Sequence, residues 1–347
     1  MSPSATQRHP LVSVIIVNHN GKHWLGPCLD SLFAQTHPNI EIILIDNASS
    51  DGSSPYLRNT CPAVRLIETD LNIGFAGGNN LGVSKATGEY VFFLNNDTVV
   101  DPNCIERLIS TFDQLPQASI LQPKMVLLNR PDRLDVCGAY WTDTAFLYYH
   151  GHRKPSDEAL YATPRPYFSI KGAAMIMRRR TIEEYGLFDP TFWCYYEETD
   201  LCHRHWLLGL ESWYVPAARV LHYTGGTARR INNSLIEFHN IKNKLRSFLK
   251  NFEGHSLLRI LPTFLVIYSG LSLAWLIQGK FQHLFVLPKA VLWNLIHLRS
   301  TLRQRTMIQS QRQLSDAQIF ERVRRNPRWE YYRLLFTNRI EHYLDDI

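Results

Sequence analysis

VSVIIVNHNG at residues 12–21 and EIILIDNASSDGS at residues 41–53 are the two stretches that decide the fold. Each contains a continuous apolar run and ends in polar and glycine residues. Between them, apolar residues recur at helical spacing, at Leu25, Cys28, Leu29, Leu32 and Phe33. A strand, a helix and a strand in this order predict a βαβ unit with parallel strands.

The same alternation continues along the chain. Apolar runs at residues 64–67 and 90–94 predict two further strands, the second followed by Asn95-Asn96-Asp97. Mostly parallel sheets bind ligands at the carboxyl ends of their strands, where polar residues cluster in this sequence. We therefore expect an α/β fold with a mostly parallel central sheet and a ligand site at this edge.

Composition excludes several classes of protein. The chain has 347 residues, of which 45% are hydrophobic and 20% charged, as in ordinary globular proteins. Its six cysteines form no CxxC pair, which argues against a zinc knuckle or a redox dithiol. The first ten residues contain no apolar run typical of a secretory signal, so we expect a cytoplasmic protein.

The net charge of +6 is unevenly distributed. Residues 1–230 contain 20 Lys and Arg against 23 Asp and Glu, whereas residues 231–347 contain 17 against 8. The second region holds 20 uncharged residues at 260–279, a second apolar stretch at 281–298, and then an arginine-rich segment. Apolar helices beside arginines are typical of membrane-surface anchors, and they favour lipid over nucleic acid as the partner.

Asp46 ends the second predicted strand and is followed by a polar turn at residues 47–53. A carboxylate there can accept the imide N–H of uracil or thymine while the turn surrounds the nucleoside. Asp46 and Asp51 could equally serve only to cap the turn and the next helix. The residues alone leave both functions open.

A glycine-rich segment at residues 72–80 would let the backbone approach a nucleotide or a diphosphate before a helix begins. A simple loop with a helix cap is the alternative. Its glycines do not form the GxGxxG pattern, and the first strand ends in Asn18-His19-Asn20-Gly21 instead. The sequence therefore argues against a dehydrogenase, and a nucleotidyltransferase is a further rival.

Asp97 and His222 are candidate metal ligands. A hard divalent cation that bridges a diphosphate needs oxygen ligands at a strand end, and Asp97 can supply one. His222 could add an imidazole from the far side of the pocket. A lone Asp at a strand end is more often a cap, however, and a lone His is usually structural.

Glu197, Glu198 and Asp200 open a predicted helix and include candidates for a general base. Crowded like charges beside an aromatic wall, which includes Trp193 and Tyr196, would raise the pKa of a carboxyl group. A solvated helix start is the alternative. The two aromatic residues could stack on an acceptor sugar or belong to the core.

Seven blocks follow one another along the chain, namely VSVIIVNHNG, EIILIDNASSDGS, NIGFAGGNNLG, FLNNDT, IKGAAMIMRR, YYEETDLCHR and VLHYTGGT. In this order they resemble family 2 glycosyltransferases of the GT-A fold, in particular the rhamnosyltransferase-like branch. The resemblance covers residues 11–230, and the tail is similar to the amphipathic C-terminal helices of some members.

The resemblance implies a nucleotide-sugar donor lying across the strand ends, with Asp46 at the base. It implies that Asp97, the last Asp of the DxD motif, and His222 hold Mg²⁺ or Mn²⁺ at the diphosphate. The implied donor pocket consists of Asn18, Asp46, Asn47, Gly74, Gly77, Asn79, Asn96 and Asp97.

Glu198 matches the inverting base of the family, and Glu197 or Asp200 could share or take that role. Trp193 and Tyr196 are the implied acceptor-binding residues. Two departures stand out, because Asn95 replaces the first Asp of the DxD motif and Glu198 replaces an Asp. A nucleotide-sugar-binding membrane protein with impaired catalysis is therefore the alternative.

The expected reaction is a metal-dependent single displacement with inversion and no covalent nucleophile. The donor would be a dTDP- or UDP-sugar, with dTDP-rhamnose favoured by the branch. The acceptor would be a hydroxyl of a polyisoprenyl-linked glycan in cell-surface polysaccharide assembly. The Gln-x-x-Arg-Trp motif of processive members is absent, which favours transfer of one or a few sugars.

The expected organisation is a GT-A catalytic domain at 1–230 and a basic, amphipathic helical region at 231–347. Within the first, residues 11–115 would bind the nucleotide sugar and residues 116–230 would carry the acceptor site and the base. Residues 256–328 would bind an anionic membrane at the cytoplasmic face of the plasma membrane. Pro262, Gly270 and Pro288 favour a helix in the membrane plane, although a transmembrane hairpin and a buried helical subdomain are alternatives.

Overall fold

Four parallel strands form the N-terminal half of the central sheet in a computed structural model, which describes residues 9–223, 233–336, 339 and 342–345. Their order across the sheet is β3-β2-β1-β4. The strands are β1 (Val12–Asn18), β2 (Ile40–Asp46), β3 (Arg65–Glu68) and β4 (Tyr90–Asn95). The helices between them are α1 (Lys22–Phe33), α2 (Ser53–Thr60) and α3 (Gly74–Val83). The predicted βαβ units are therefore confirmed.

The second half of the sheet follows β4 in the chain. Its elements are β5 (Thr98–Val100), α4 (Cys104–Gln114), β6 (Ala118–Leu127), β7 (Arg130–Val136), β8 (Gly138–Trp141), β9 (Leu147–His150), β10 (Arg165–Tyr167), β11 (Ala174–Arg178), α5 (Arg179–Tyr185), α6 (Glu197–Leu207) and β12 (Glu211–His222). The sheet becomes mixed beyond β4, where its order continues β11-β6-β12-β10. β11 runs antiparallel to both β4 and β6, whereas β6 and β12 are parallel.

Both faces of the sheet are covered, as the continuous apolar strands require. Alternate residues of β1 point to opposite sides, so that Val14 and Ile16 join one core while Ile15 joins the other. The carboxyl ends of the parallel strands lie at one edge, and this edge is left open for the polar residues that follow each strand.

The C-terminal region forms six α-helices within the described residues. They are α7 (Asn233–Asn251), α8 (Gly254–Ile277), α9 (Val286–Ile296), α10 (Leu298–Gln311), α11 (Asp316–Val323) and α12 (Trp329–Phe336). Phe248 and Phe252 of α7 pack into one apolar core with Trp141 and Trp206 of the preceding half. The described residues on the two sides of residue 230 therefore share this core, and the division into two domains stays a prediction.

Helix α8 is, within the described part of the chain, the one helix long and apolar enough to cross a membrane. Its buried residues recur every four positions along its length, at Ser256, Ile260, Phe264, Tyr268 and Ser272. Residues at this spacing share one face of a helix, and that face packs on the protein body. The opposite face exposes large apolar side chains, including Leu258, Val266 and Ile277.

The arginine-rich segment was expected to face a membrane as a whole, but several of its arginines contact the protein itself. Arg305 donates to the carbonyl groups of Leu249 and Phe252, and Arg312 pairs with Asp316. Other arginines of the segment pair with carboxylates of the sheet half, through Arg322 to Glu211 and Arg324 to Asp143. These side chains hold the helices to the body, whereas Arg299 and Arg303 are exposed.

Candidate active site

The ends of β1, β2 and β4 bring the predicted donor residues together. Asn18 and Asp46 are register partners at the last positions of β1 and β2. Asn18 donates to Asp46 Oδ1 at 3.3 Å and accepts from Asn96 Nδ2 at 2.6 Å. Gly21 lies so close that an added Cβ would fall 2.1 Å from Asn96 Nδ2. A single polar network therefore joins the three strand ends.

Asp46 is almost fully buried, and both of its oxygens are occupied. Oδ1 accepts from Ser49 and Asn18, and Oδ2 accepts from Ser54 at the start of α2. These bonds fix the turn, as the capping alternative required. A contact between Asp46 and a nucleotide base stays a prediction.

Asn47 ties this turn to the glycine-rich segment. Its Nδ2 donates to Asn72 Oδ1 at 3.0 Å and to the Gly74 carbonyl at 3.1 Å, and its Oδ1 accepts from the Ile73 N–H. Gly74 has φ of +77°, a conformation that favours glycine, and an added Cβ would fall 2.2 Å from the Trp193 carbonyl oxygen. Asn47 thus holds the turn after β2 against the start of α3.

The glycine-rich segment is helical from Gly74 onward, which corrects the predicted loop at residues 74–79. A Cβ on Gly78 would lie 2.8 Å from Val17, and one on Gly82 would lie 2.4 Å from Ile15. The glycines therefore let α3 approach β1 closely. Gly77 faces Ile73 of its own turn, and Asn79 is buried with its amide donating to the Phe75 carbonyl. These two residues contribute to packing in this structure.

Asp97, His222 and Asp135 form a chain of polar contacts beside the strand ends. His222 pairs with Thr98 in the sheet, which places the imidazole next to Asp97. His222 Nε2 lies 3.4 Å from Asp97 Oδ1, and Nδ1 lies 2.8 Å from Asp135 Oδ2. Lys171 Nζ contacts both Asp135 oxygens, at 2.8 and 2.6 Å. Residues 224–227 of the predicted block lie outside the described residues.

Within this row of polar contacts, the neighbouring charges favour an ionised Asp135. Burial alone would raise the pKa of Asp135, but Lys171 and His222 hold it below its usual value. Burial alone would lower the pKa of His222, and its polar contacts with Asp135 and Asp97 raise it instead. An ionised Asp135 fixes the proton of His222 on Nδ1 and leaves Nε2 directed at Asp97.

The residues present fit a divalent cation at Asp97. Asp97 Oδ1 is buried, and His222 Nε2 approaches it only at a long 3.4 Å, without the geometry of a full hydrogen bond. This oxygen is therefore available to a metal ion. A carboxylate that orients a ligating histidine through its second nitrogen is a common outer partner at metal sites. No three His, Cys, Asp or Glu side chains of the described residues cluster as a complete metal site. Further ligands would have to come from a bound diphosphate and water.

Glu197 and Glu198 occupy the first turn of α6. Glu198 is half-buried and packs against Gly172, where an added Cβ would lie 3.4 Å from its own Cβ. Burial raises the pKa of Glu198 to about 7, against the lowering effect of Lys171. Burial and the neighbouring Glu198 raise the pKa of Glu197 further. A carboxyl group with a pKa near 7 is suited to general-base chemistry, and the role of Glu198 as the base stays a prediction.

Asp200 belongs to a different environment, and the structure does not support it as a base. Its carboxylate accepts from Lys250 at 3.1 Å, Asn251 at 3.0 Å and Arg204 at 3.2 Å. Burial alone would raise the pKa of Asp200, but Lys250 and Arg204 lower it. A fully buried carboxylate that three side chains hold cannot reach an acceptor hydroxyl.

The two predicted acceptor residues differ in their surroundings. Tyr196 is buried in the core shared with the C-terminal helices, and only 7% of its surface is exposed, so it offers little area for stacking. Trp193 is half-buried and donates through Nε1 to the Asn72 carbonyl at 3.2 Å. It therefore packs against the start of the glycine-rich segment.

Sequence reasoning missed Asp135, Lys171 and Asn243. Asp135 was detectable as a single carboxylate in an otherwise apolar run, and Lys171 is the second residue of one of the seven blocks. Asn243 lies on α7 and donates to the Cys194 and Tyr195 carbonyls. No local pattern marks such an asparagine, because its partners are almost fifty residues away.

Comparisons with known proteins agree with this geometry. The family described as "Glycosyl transferase family 2" matches residues 13–186, about half of the chain. N-acetylglucosaminyl-diphospho-decaprenol L-rhamnosyltransferase of Mycobacterium tuberculosis is 25% identical over 63% of this chain and 78% of its own length. An uncharacterized glycosyltransferase of Nostoc is 36% identical over 52% of this chain and 55% of its own length.

Solved structures show the same fold at low sequence identity. S. aureus TarS 1-349 in complex with UDP-GlcNAc has a TM-score of 0.55 at 15% identity, covering 86% of this chain and 91% of its own. The mannosyltransferase PcManGT of Pyrobaculum calidifontis, in complex with GDP-Man and Mn²⁺, has a TM-score of 0.52 at 15% identity, covering 96% and 85%. The chain therefore belongs to glycosyl transferase family 2 and is a rhamnosyltransferase-like glycosyltransferase of the GT-A fold.

Proposed function

We propose that this glycosyltransferase is inverting and metal-dependent, and that it transfers rhamnose from dTDP-rhamnose to a hydroxyl of a polyisoprenyl-diphosphate-linked glycan. One short segment carries the proposal. Lys171 pairs with Asp135, which orients His222, and the adjacent Gly172 packs against Glu198. Two adjacent residues, Lys171 and Gly172, thus link the proposed metal ligand His222 to the proposed base Glu198.

The roles follow from the positions of the side chains. Asp97 and His222 would hold Mg²⁺ or Mn²⁺, which when bound neutralises the charge that develops on the leaving diphosphate. Glu198 takes the proton of the acceptor hydroxyl. The hydroxyl oxygen attacks the anomeric carbon from the face opposite the diphosphate. The bond between that carbon and the diphosphate oxygen breaks in the same step, so the configuration inverts.

The names of the relatives support the choice of substrates. The mycobacterial relative is named as a rhamnosyltransferase acting on N-acetylglucosaminyl-diphospho-decaprenol. The structural neighbours include complexes with nucleotide sugars and Mn²⁺. We therefore propose a lipid-linked N-acetylglucosamine as the first acceptor to test, at the cytoplasmic face of the plasma membrane.

A transfer assay tests this proposal. The protein is incubated with polyprenyl-diphospho-N-acetylglucosamine and with dTDP-rhamnose, UDP-GlcNAc or GDP-mannose. We expect product from dTDP-rhamnose alone, loss of product with EDTA, and recovery with excess Mn²⁺. Asp97→Ala is expected to lower the rate by about 10²-fold or more, since metal stabilisation of the leaving group is worth several kcal/mol.

Asp101→Ala is the matched control for this assay, because Asp101 is a partly exposed carboxylate directly after β5, four residues beyond Asp97, and pairs with Arg219. It is expected to keep most of the activity. Turnover that survives EDTA, or full activity of Asp97→Ala, would contradict metal dependence. Donor binding without any transfer would instead favour the catalytically impaired alternative.

We also propose that the outer face of α8 and α9 lies on an anionic membrane. This face exposes large apolar side chains on α8, on the short segment after it and on α9, and it borders exposed basic residues including Lys280, Lys289 and Arg299. The buried stripe of α8 spans 17 residues, or about 25 Å at 1.5 Å per residue, so the helix is packed on the body for most of its length. A helix held in this way lies along the bilayer surface rather than across it.

Charge placed on this face should weaken membrane binding. The triple variant Leu258→Glu, Val266→Glu and Ile296→Glu is expected to lower affinity for phosphatidylglycerol vesicles about 100-fold or more, since each inserted side chain contributes about 1.5–3 kcal/mol. Flotation with vesicles measures the change. Phe33→Glu, on an exposed apolar residue at the end of α1, is the control and should bind as the wild type does. Equal binding of the triple variant, Phe33→Glu and the wild type would exclude this face as the membrane contact.

A further inference from the structure

The turn at residues 194–196, which leads into α6, is strained. Tyr195 and Tyr196 have φ of +68° and +71°, and they immediately precede Glu197 and Glu198 at the start of α6. Residues with a Cβ rarely adopt this left-handed conformation, and two in succession need support from their surroundings. The direction in which the two glutamates leave the turn therefore depends on whatever holds Tyr195 and Tyr196 in place.

Asn243 of α7 supplies that support. Its Nδ2 donates to the Cys194 carbonyl at 2.9 Å and to the Tyr195 carbonyl at 2.7 Å, so both amide hydrogens are used on the turn. The side chain is completely buried. Seven residues further along α7, Lys250 pairs with Asp200 of α6. One face of α7 thus holds both the entry to α6 and its first turn.

We propose that Asn243 is a positioning residue for sugar transfer, which acts by holding the 194–196 turn so that Glu198 faces the acceptor hydroxyl. This inference rests on the proposed role of Glu198 as the base. It makes the C-terminal region a part of the catalytic apparatus, since α7 belongs to the segment that the sequence assigned to membrane association. The two hydrogen bonds of the Asn243 amide go to the 194–196 turn and not to the strand-end network of Asn18, Asp46 and Asn96.

The test compares two buried asparagines of the C-terminal region. Asn294 of α9 also donates through Nδ2 to two carbonyls, those of Lys242 and Ala290, but it does not contact the 194–196 turn. Asn243→Ala and Asn294→Ala are compared for kcat of rhamnosyl transfer to polyprenyl-diphospho-N-acetylglucosamine, for calorimetric affinity for dTDP-rhamnose with Mn²⁺, and for Tm.

Asn243→Ala is expected to lower kcat about 10- to 100-fold, because a small displacement of a reacting group has effects of this size. Its affinity for dTDP-rhamnose should stay within about twofold of the wild type, as for an interaction that matters only in the transition state. Asn294→Ala should keep kcat near the wild-type value at a similar loss of Tm. Asn243→Asp, which keeps the volume but removes the donor, is the second variant and should behave as Asn243→Ala does.

A double variant separates positioning from packing. Glycine adopts positive φ without strain, so a Tyr195→Gly background relieves one of the two strained positions and makes the turn depend less on Asn243. Adding Asn243→Ala to that background should therefore cost much less than it does alone. Equal losses in both backgrounds, or a parallel fall of kcat in Asn294→Ala, would overturn the inference. Full activity of Glu198→Gln would instead overturn the base itself, and with it the proposed mechanism.

Discussion

Replacing Glu198 by glutamine should lower kcat by about 10²- to 10⁴-fold, the range typical of losing a general base. Glutamine has nearly the same shape but cannot accept the proton of the acceptor hydroxyl. Since Glu198 lies on α6 and the donor network lies at the ends of β1, β2 and β4, the affinity for dTDP-rhamnose should be retained. Single-turnover transfer and calorimetric titration of the donor measure the two quantities.

The pH dependence gives a second signature of the same base. Burial raises the pKa of Glu198 to about 7, so the carboxyl group is mostly protonated below that pH and cannot act as a base. The rate should therefore rise about tenfold per pH unit below pH 7 and level off above it. The Glu198→Gln variant should lose this limb of the profile.

Glu197→Gln is the matched comparison, since the two residues are adjacent and both have raised pKa values. Burial and the neighbouring Glu198 favour the neutral form of Glu197, which a glutamine resembles. We expect a smaller loss of kcat than in Glu198→Gln. The reverse order would assign the base to Glu197.

Asp189→Asn should destabilise the folded protein by about 3–5 kcal/mol, the cost of removing one partner from a buried ion pair. Asp189 is almost completely buried and accepts from Arg246 at 2.8 Å and from Lys250 at 2.7 Å. Lys250 also pairs with Asp200, which in turn pairs with Arg204. The variant leaves two buried cations, Arg246 and Lys250, and the partly buried Arg204 with one carboxylate. Urea unfolding measures the change in the free energy of unfolding.

The same cluster predicts how stability depends on pH. Burial alone would raise the pKa values of Asp189 and Asp200, but their cationic partners lower both. Carboxyl groups with lowered pKa values bind protons more weakly in the folded than in the unfolded state. Their contribution is therefore present above the unfolded value of about 3.9 and is lost as the pH falls below it.

Glu183→Gln is the control for the stability measurement, because Glu183 forms an exposed ion pair with Arg179 on one helix. Exposed pairs at this spacing contribute about 0.3–0.5 kcal/mol. A loss in Asp189→Asn as small as that of Glu183→Gln would contradict the role assigned to the buried cluster.

Local patterns sufficed to predict the N-terminal half of the sheet and the edge at which its polar residues meet. Apolar runs that end in Asn18, Asp46 and Asn95 are strand signals that depend only on neighbouring residues. The glycine-rich segment was misjudged because glycine signals both a loop and close packing. Only the distance between α3 and β1 decides between the two at Gly78 and Gly82.

Contacts between distant parts of the chain were beyond the reach of such patterns. Asp200 looked like its neighbours Glu197 and Glu198, since all three open the same helix. Its partner Lys250 lies fifty residues further along the chain, and this pairing separates a structural carboxylate from the candidate base. Asp135 became visible as the partner of His222 only when β7 was placed beside β6.

The shared core between the C-terminal helices and the sheet half bears on how such a protein could be assembled in evolution. A true anchor module can be gained, lost or exchanged by recombination at a linker. Here a break near residue 230 would expose Trp141 and Trp206 and leave Asp189 and Asp200 without Lys250. Recombination would therefore have to carry both regions together, and a swap of tails between relatives would succeed only with a matching set of buried charges.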